Sequence, residues 1–235
     1  MEIDALVLRV TPFRAQDAMV LAIDQNKTYS FLARGVRKTQ SKNSFSLLPW
    51  SYSHFSLLKT KDGLSLKTGS LINDYGALRS SFEHLATLDF LSEATMRLMD
   101  EKELPKIYLS INKILDLLTS GFSPKTLQII YLATLLRHSG YSWNVDSCQK
   151  CGQKSAIMAV NTRRGGFICE SCFDGVNGVK LTTRLLKIIR YIFMVEPEMY
   201  DHIAFSDDEC RTVMSLLEEF LVQTVEVTLK STKIL

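Results

Sequence analysis

Four cysteines hold the densest chemistry in this chain of 235 residues. Cys148 and Cys151 form one C-x-x-C pair, and Cys169 and Cys172 form a second after 17 intervening residues. Two residues between cysteines let both sulfurs reach one ion from a tight turn, and two such knuckles complete a tetrahedron. The spacing fits the zinc pattern of two C-x-x-C pairs about 15–20 residues apart. Gly152 follows the first pair directly, where a knuckle often needs a residue without a side chain. Lys150, Lys154, Arg163 and Arg164 are expected around the site, where positive charge lowers thiol pKa and offsets the charge of a zinc tetrathiolate. Buried thiols, a redox pair and an iron–sulfur cluster are the other uses of such a quartet. Four protein sulfurs leave no open position for water or substrate, so one Zn2+ held here is structural. Its binding contributes roughly 10–16 kcal/mol to local folding, enough to order a loop with no core of its own. Cys210 falls in a helical pattern and reads as an inert small apolar residue.

The second candidate chemistry is cationic. Arg34, Arg37, Lys38 and Lys42 follow a strand pattern and share a loop with Gly35, with polar residues filling the gaps. Such a loop can lay several cations along a phosphate backbone; a solvated hairpin loop is the plainer alternative. Lys180, Arg184, Lys187 and Arg190 recur at helical spacing opposite Leu185, Ile188, Ile189 and Ile192. That stripe extends a nucleic-acid track with Arg163 and Arg164, or is the wet face of an amphipathic helix. Trp50, Tyr52 and His54 alternate along an expected strand, as stacking platforms for bases or, for Trp50, as core. Enzyme patterns are missing: the chain has no P-loop, no G-x-S-x-G elbow and no H-E-x-x-H. Its four histidines, His54, His84, His138 and His202, lie far apart in sequence.

The elements that must position these groups change character along the chain. Up to residue 75 the pattern is strand-like: Asp4 to Val10, Met19 to Ile23, Tyr29 to Ala33, Trp50 to Phe55 and Leu64 to Thr68. Asp62–Gly63 between the last two is a hairpin signal. Five short strands suggest a small closed barrel, OB-type or SH3-like. From about residue 77 the period is helical, with stripes over Leu85 to Leu98 and Ile107 to Leu118. Ser123 is an expected N-cap with Pro124 at the first helical position, opening a third helix that is apolar round most of its girth. Residues 140–179 lose the period, and helices return at Leu181 to Met194 and about Asp207 to Val222.

Composition narrows the class. Hydrophobic residues at 46% and charged residues at 23% are ordinary for a globular protein. No apolar run is long enough for a transmembrane helix, and the N-terminus does not read as a signal peptide. A cytoplasmic protein is expected, and reduced cysteines with it. Residues 1–75 carry a net +4, 76–147 a net −1, 148–180 a net +3 and 181–235 a net −3. Two positive blocks separated by an acidic helical one point mildly to a polyanion.

In order along the chain, several segments resemble the RecO family of bacterial recombination mediators. Asp4 to Arg9 is similar to the family's opening strand, and Ala33-Arg34-Gly35-Val36-Arg37-Lys38 with Ser41-Lys42 resembles its basic segment. Leu48-Pro49-Trp50, Leu135 to Gly140 leading into Cys148-x-x-Cys151-Gly152, Gly165-Gly166-x-x-Cys169-x-x-Cys172 and Leu229-Lys230-Ser231 follow in the family's order. The resemblance implies an α+β, multi-domain fold. Residues 1–76 would form an OB-fold DNA-binding β-barrel, and 77–235 an α-helical domain with a four-cysteine zinc module inserted at 146–179. It implies no catalysis. It implies binding of single- and double-stranded DNA, annealing of complementary strands, and loading of the RecA recombinase with RecR, RecF and single-stranded-DNA-binding protein (SSB). On the residues alone, a zinc-ribbon adaptor of transcription or replication that grips protein partners is the alternative.

Overall fold

A period of two places every second strand residue on one face, and burial follows it. In β3 (Thr28–Ala33), Tyr29, Phe31 and Ala33 are buried while Ser30 is exposed. A computed structural model describes residues 1–234. The other N-terminal strands are β1 (Glu2–Phe13), β2 (Asp17–Ile23), β4 (Tyr52–Thr60) and β5 (Gly63–Asn73). They close into a barrel in the order β1-β2-β3-β5-β4, with β3 and β5 parallel and the other neighbours antiparallel. This five-stranded crossover arrangement is OB-like and decides against the SH3-like alternative. Ala5, Val7, Ala18, Val20, Ala22, Phe31, Phe55 and Leu57 fill the interior, where Phe31 and Phe55 tilt against each other at 5.3 Å between centroids.

The segment between β3 and β4 packs back on the barrel. Val36, Leu47 and Trp50 are buried. The alternation places Trp50 in a strand; it sits instead in a turn at φ 63°, its N–H donating to Val7 O at 2.6 Å. Gly69 on β5 is required here, because a side chain there would collide with Ser46. Its own N–H donates to Asn43 Oδ1 at 3.1 Å.

The chain divides into two compact units: Met1–Phe82 with Leu104–Tyr108, and Glu83–Glu103 with the chain from Leu109 onward. The second holds α1 (Phe82–Leu98) from Glu83 onward, α2 (Leu104–Thr119) from Leu109 onward, α3 (Pro124–His138), α4 (Thr183–Met194) and α5 (Asp207–Phe220). Ser123 caps α3 by accepting from Thr126 N at 3.3 Å, with Pro124 in the first turn. Every residue from Thr126 to Leu136 is buried, so this helix is the core of the unit. Its polar groups are satisfied internally: Gln128 Nε2 donates to Thr87 Oγ1 at 2.7 Å, and Thr134 Oγ1 lies 3.1 Å from the Tyr200 hydroxyl, which donates to Ser110 Oγ at 3.0 Å. Ser206 and Glu209 form a reciprocal capping box at the start of α5. No helix among the described residues is long and apolar enough to cross a membrane.

Residues 140–179 are not structureless. They contain β6 (Ile157–Asn161), β7 (Gly166–Cys169) and, reaching one residue further, β8 (Val179–Lys180), in a three-stranded antiparallel sheet ordered β7-β6-β8. Trp143 anchors this module, stacked on Phe193 of α4 at 5.3 Å and edge-on to Phe220 of α5 at 5.6 Å. Gly165 makes that packing possible: its φ is +63°, and a Cβ there would lie 2.6 Å from Trp143 Cδ1.

Candidate metal centre and nucleic-acid interface

The first knuckle is a tight turn. Gly152 adopts φ +76° and donates its N–H to Cys148 O at 2.7 Å, while Cys148 N donates to Gln153 O at 2.8 Å. The second knuckle is the end of β7 running into a 3-10 turn, Glu170–Cys172. The two are tied together by Gln149 N donating to Phe167 O at 2.9 Å and by Lys150, whose Nζ donates to Cys172 O at 3.0 Å and Asp174 Oδ2 at 3.2 Å. Hydrogen bonds from the Asn177 side chain and from the backbone of Asn177 and Val176 hold the Asp174 carboxyl well below the usual carboxylate range.

All four sulfurs lie within 4.8 Å of one another, and Cys151 and Cys169 are 3.6 Å apart. A tetrahedral thiolate site with metal–sulfur bonds of about 2.3 Å has sulfurs about 3.8 Å apart, so the quartet fits one metal ion. Cys148 and Cys169 are buried, Cys172 is half-buried and Cys151 is exposed. Burial pushes the Cys148 thiol up, but the backbone N–H groups of Cys169, Cys151 and Lys150 outweigh it and hold the group at about 6. The Cys172 proton, shared with Cys151 and Cys169, is held to about 12. Four thiolates this close repel one another, and a cation among them would offset that repulsion.

Arg163 and Arg164 do not flank this cluster. They sit at the turn between β6 and β7, and Cys169 is at the opposite end of β7. Arg163 Nε donates to Gln223 Oε1 at 3.1 Å, and both side chains are exposed. Lys180 belongs to β8 rather than to a helix and lies over the Phe173 ring at 5.2 Å. It therefore drops out of the expected helical stripe, of which Arg184, Lys187 and Arg190 remain on α4. Arg184 pairs with Glu209 at 2.9 Å and Arg190 with Asp146 at 2.8 Å, so both tie the helix to neighbouring segments. Lys187 is exposed and has no ion pair among the described residues.

On the barrel, Arg34, Arg37, Lys38 and Lys42 are all exposed, and none has a carboxylate within ion-pair distance among the described residues. The loop that carries them is bonded to the β1–β2 turn. Gly35 N donates to Asp17 Oδ1 at 2.8 Å, Arg37 N to Gln16 O at 3.0 Å and the Arg37 guanidinium to Ala15 O at 3.3 Å. This joins a further cation to the loop. Arg14, exposed at φ 56° in that turn, lies over the Phe13 ring at 5.1 Å. A lone arginine 20 residues before Arg34 gives no sequence signal of this neighbourhood. Trp50, Tyr52 and His54 do not form one stacking face: Trp50 is buried in its turn, Tyr52 is half-buried, and His54 is held by Asp4 at 2.6 Å and Glu2 at 3.1 Å.

Comparison with known proteins agrees with this architecture. A family model described as "Recombination protein O C terminal" matches residues 79–233. A DNA repair protein RecO of Syntrophomonas wolfei is 28% identical over 190 residues, covering 79% of this chain and 75% of its own length. The DNA repair protein RecO of Oceanobacillus iheyensis is 21% identical over 239 residues, covering 100% of this chain and 92% of its own. That of Bacillus pumilus is 26% identical over 219 residues, covering 90% and 85%. With more than half of its length matched by the family model, this chain belongs to the recombination protein O (RecO) family.

Proposed function

We propose that this chain is a non-enzymatic mediator that binds DNA by charge, anneals complementary strands, and helps load the RecA recombinase on SSB-coated DNA together with RecR and RecF. Family membership gives it a role in DNA repair and recombination. The observation that carries the finer reading is the barrel loop, with Arg34, Arg37, Lys38 and Lys42 exposed and paired with no carboxylate among the described residues. Exposed cations that no carboxylate pairs release counterions when they meet phosphates, and this release drives binding without base readout. Arg163, Arg164, Lys180 and Lys187 hold a second strand; Arg184 contributes less, being committed to Glu209. Two polyanions on one scaffold repel each other less and meet more often, so pairing accelerates without ATP.

The quartet Cys148, Cys151, Cys169 and Cys172 holds one structural Zn2+. Four sulfur donors suit zinc and leave it no site for catalysis. The ion would fix the two knuckles and, through β7, the hairpin that carries Arg163 and Arg164. The chain works in the cytoplasm, where its cysteines stay reduced.

Annealing of complementary strands coated with SSB tests the reading. The wild-type chain accelerates pairing, and a variant with Arg34, Arg37, Lys38 and Lys42 replaced by Ala loses most of that acceleration. A chain that binds protein partners but neither binds nor anneals DNA would establish the adaptor alternative instead.

A further inference from the structure

Phe45 is held out in solvent by a rigid support. It opens a 3-10 turn, Phe45–Leu47, three residues after Lys42. Ser46 and Leu47 are buried, whereas Phe45 is 70% exposed. The turn is bonded on both sides: Ser46 Oγ donates to Asn43 O at 2.9 Å, and Ser51 Oγ donates to Ser46 O at 3.2 Å. Asn43 in turn accepts the Gly69 N–H of β5. A second ring, Phe13, is 40% exposed at the end of β1, next to the turn on which the cation loop rests.

Single exposed apolar residues are ordinary on protein surfaces. Placement distinguishes these two. They stand on the two segments that carry Arg14, Arg34, Arg37, Lys38 and Lys42, and none of those cations is in an ion pair among the described residues. Exposed flat rings on the same two segments as cations that no described carboxylate pairs match a polyanion whose units end in flat, unpaired bases. Duplex DNA meets the cations equally well but keeps its base faces stacked. We propose that Phe45, with Phe13 as a second platform, stacks on unpaired bases of the strand whose phosphates the cation loop holds, so that the barrel prefers single-stranded DNA to duplex. The proposal rests on the DNA-binding reading above and adds the base contact to it.

The test compares oligo(dT) with an abasic oligomer of the same length, using the full chain and fluorescence anisotropy. Phe45→Ala should weaken oligo(dT) binding by about 5- to 150-fold. It should leave the abasic oligomer and the salt dependence unchanged. Phe45→Trp should keep oligo(dT) affinity. The chain's own Trp50 and Trp143 are each 3% exposed, so the new indole is the solvent-facing reporter. Its emission should be quenched by oligo(dT) and not by the abasic oligomer. Unchanged oligo(dT) affinity in Phe45→Ala, or equal loss for both oligomers, overturns the stacking proposal while leaving charge-driven binding in place. If the wild-type chain binds neither oligomer, the DNA-binding reading fails and stacking fails with it.

Discussion

Replacing Arg34, Arg37, Lys38 and Lys42 with Ala removes four exposed cations that no carboxylate among the described residues neutralises. Each phosphate contact on a single strand contributes about −0.7 to the slope of log affinity against log salt. Four contacts give about −2.8, or roughly 50-fold weaker binding between about 50 and about 200 mM salt. The variant should therefore lose about 2.8 from the wild-type slope, with the loss independent of base sequence. Arg190→Ala is the matched control, because Arg190 is already spent on Asp146 at 2.8 Å and should change the slope by well under one contact. The assay is a titration of labelled oligo(dT) at five or six salt concentrations, with the melting temperature of each variant measured in parallel. A slope that moves by less than about one contact's worth in the fourfold variant refutes the electrostatic reasoning. So does an Arg190→Ala variant as impaired as the fourfold one.

The metal centre predicts one zinc per chain by elemental analysis, and Cys148→Ser or Cys169→Ser should abolish that stoichiometry; a wild-type protein purified with ample zinc yet metal-free would rule the site out. Because the Cys172 proton is held to about 12, zinc uptake at neutral pH should release protons measurable in a weakly buffered titration. Gly165→Ala and Gly121→Ala separate backbone strain from collision. Both glycines have positive φ, +63° and +81°, but only at Gly165 does a Cβ meet Trp143 at 2.6 Å and Phe220 at 3.0 Å. Gly121→Ala should cost about 1–2 kcal/mol and Gly165→Ala about 1–3 kcal/mol more; equal shifts in denaturation midpoint would contradict the packing described here. His54, hydrogen-bonded to Asp4 and facing Glu2, has its pKa raised above the usual value. Its contribution to the β1–β4 pairing is full below the unfolded value of about 6.5 and fades as pH rises through the folded value. An NMR titration should show the raised midpoint, and Asp4→Asn should bring it down; an unmoved midpoint would count against the pair.

Much of this architecture was legible because it is written locally. Ser123-Pro124 announces α3, Asp62–Gly63 announces the β4–β5 turn, and the change from a period of two to 3.6 near residue 77 separates the barrel strands from the helices. The short strands of the cysteine module were missed. β6 and β7 hold five and four residues, too few for a periodic signal, and β8 joins them only through long-range pairing. Trp50 was misplaced because its alternation with Tyr52 and His54 mimics a strand, whereas its burial and its hydrogen bond to Val7 depend on a distant part of β1.

The primary structure names the candidate metal donors, since the C-x-x-C spacing limits each cysteine pair to one small turn. It also determines where cations are concentrated. Which of those cations meets a carboxylate is set by the packing of distant segments. Arg184 and Arg190 look in sequence like Arg34 and Arg37, yet the first two face Glu209 and Asp146 and the second two face solvent. A covalent spacing is fixed within a few residues, whereas the partner of a charge and the exposure of a ring are set by segments far away in the chain.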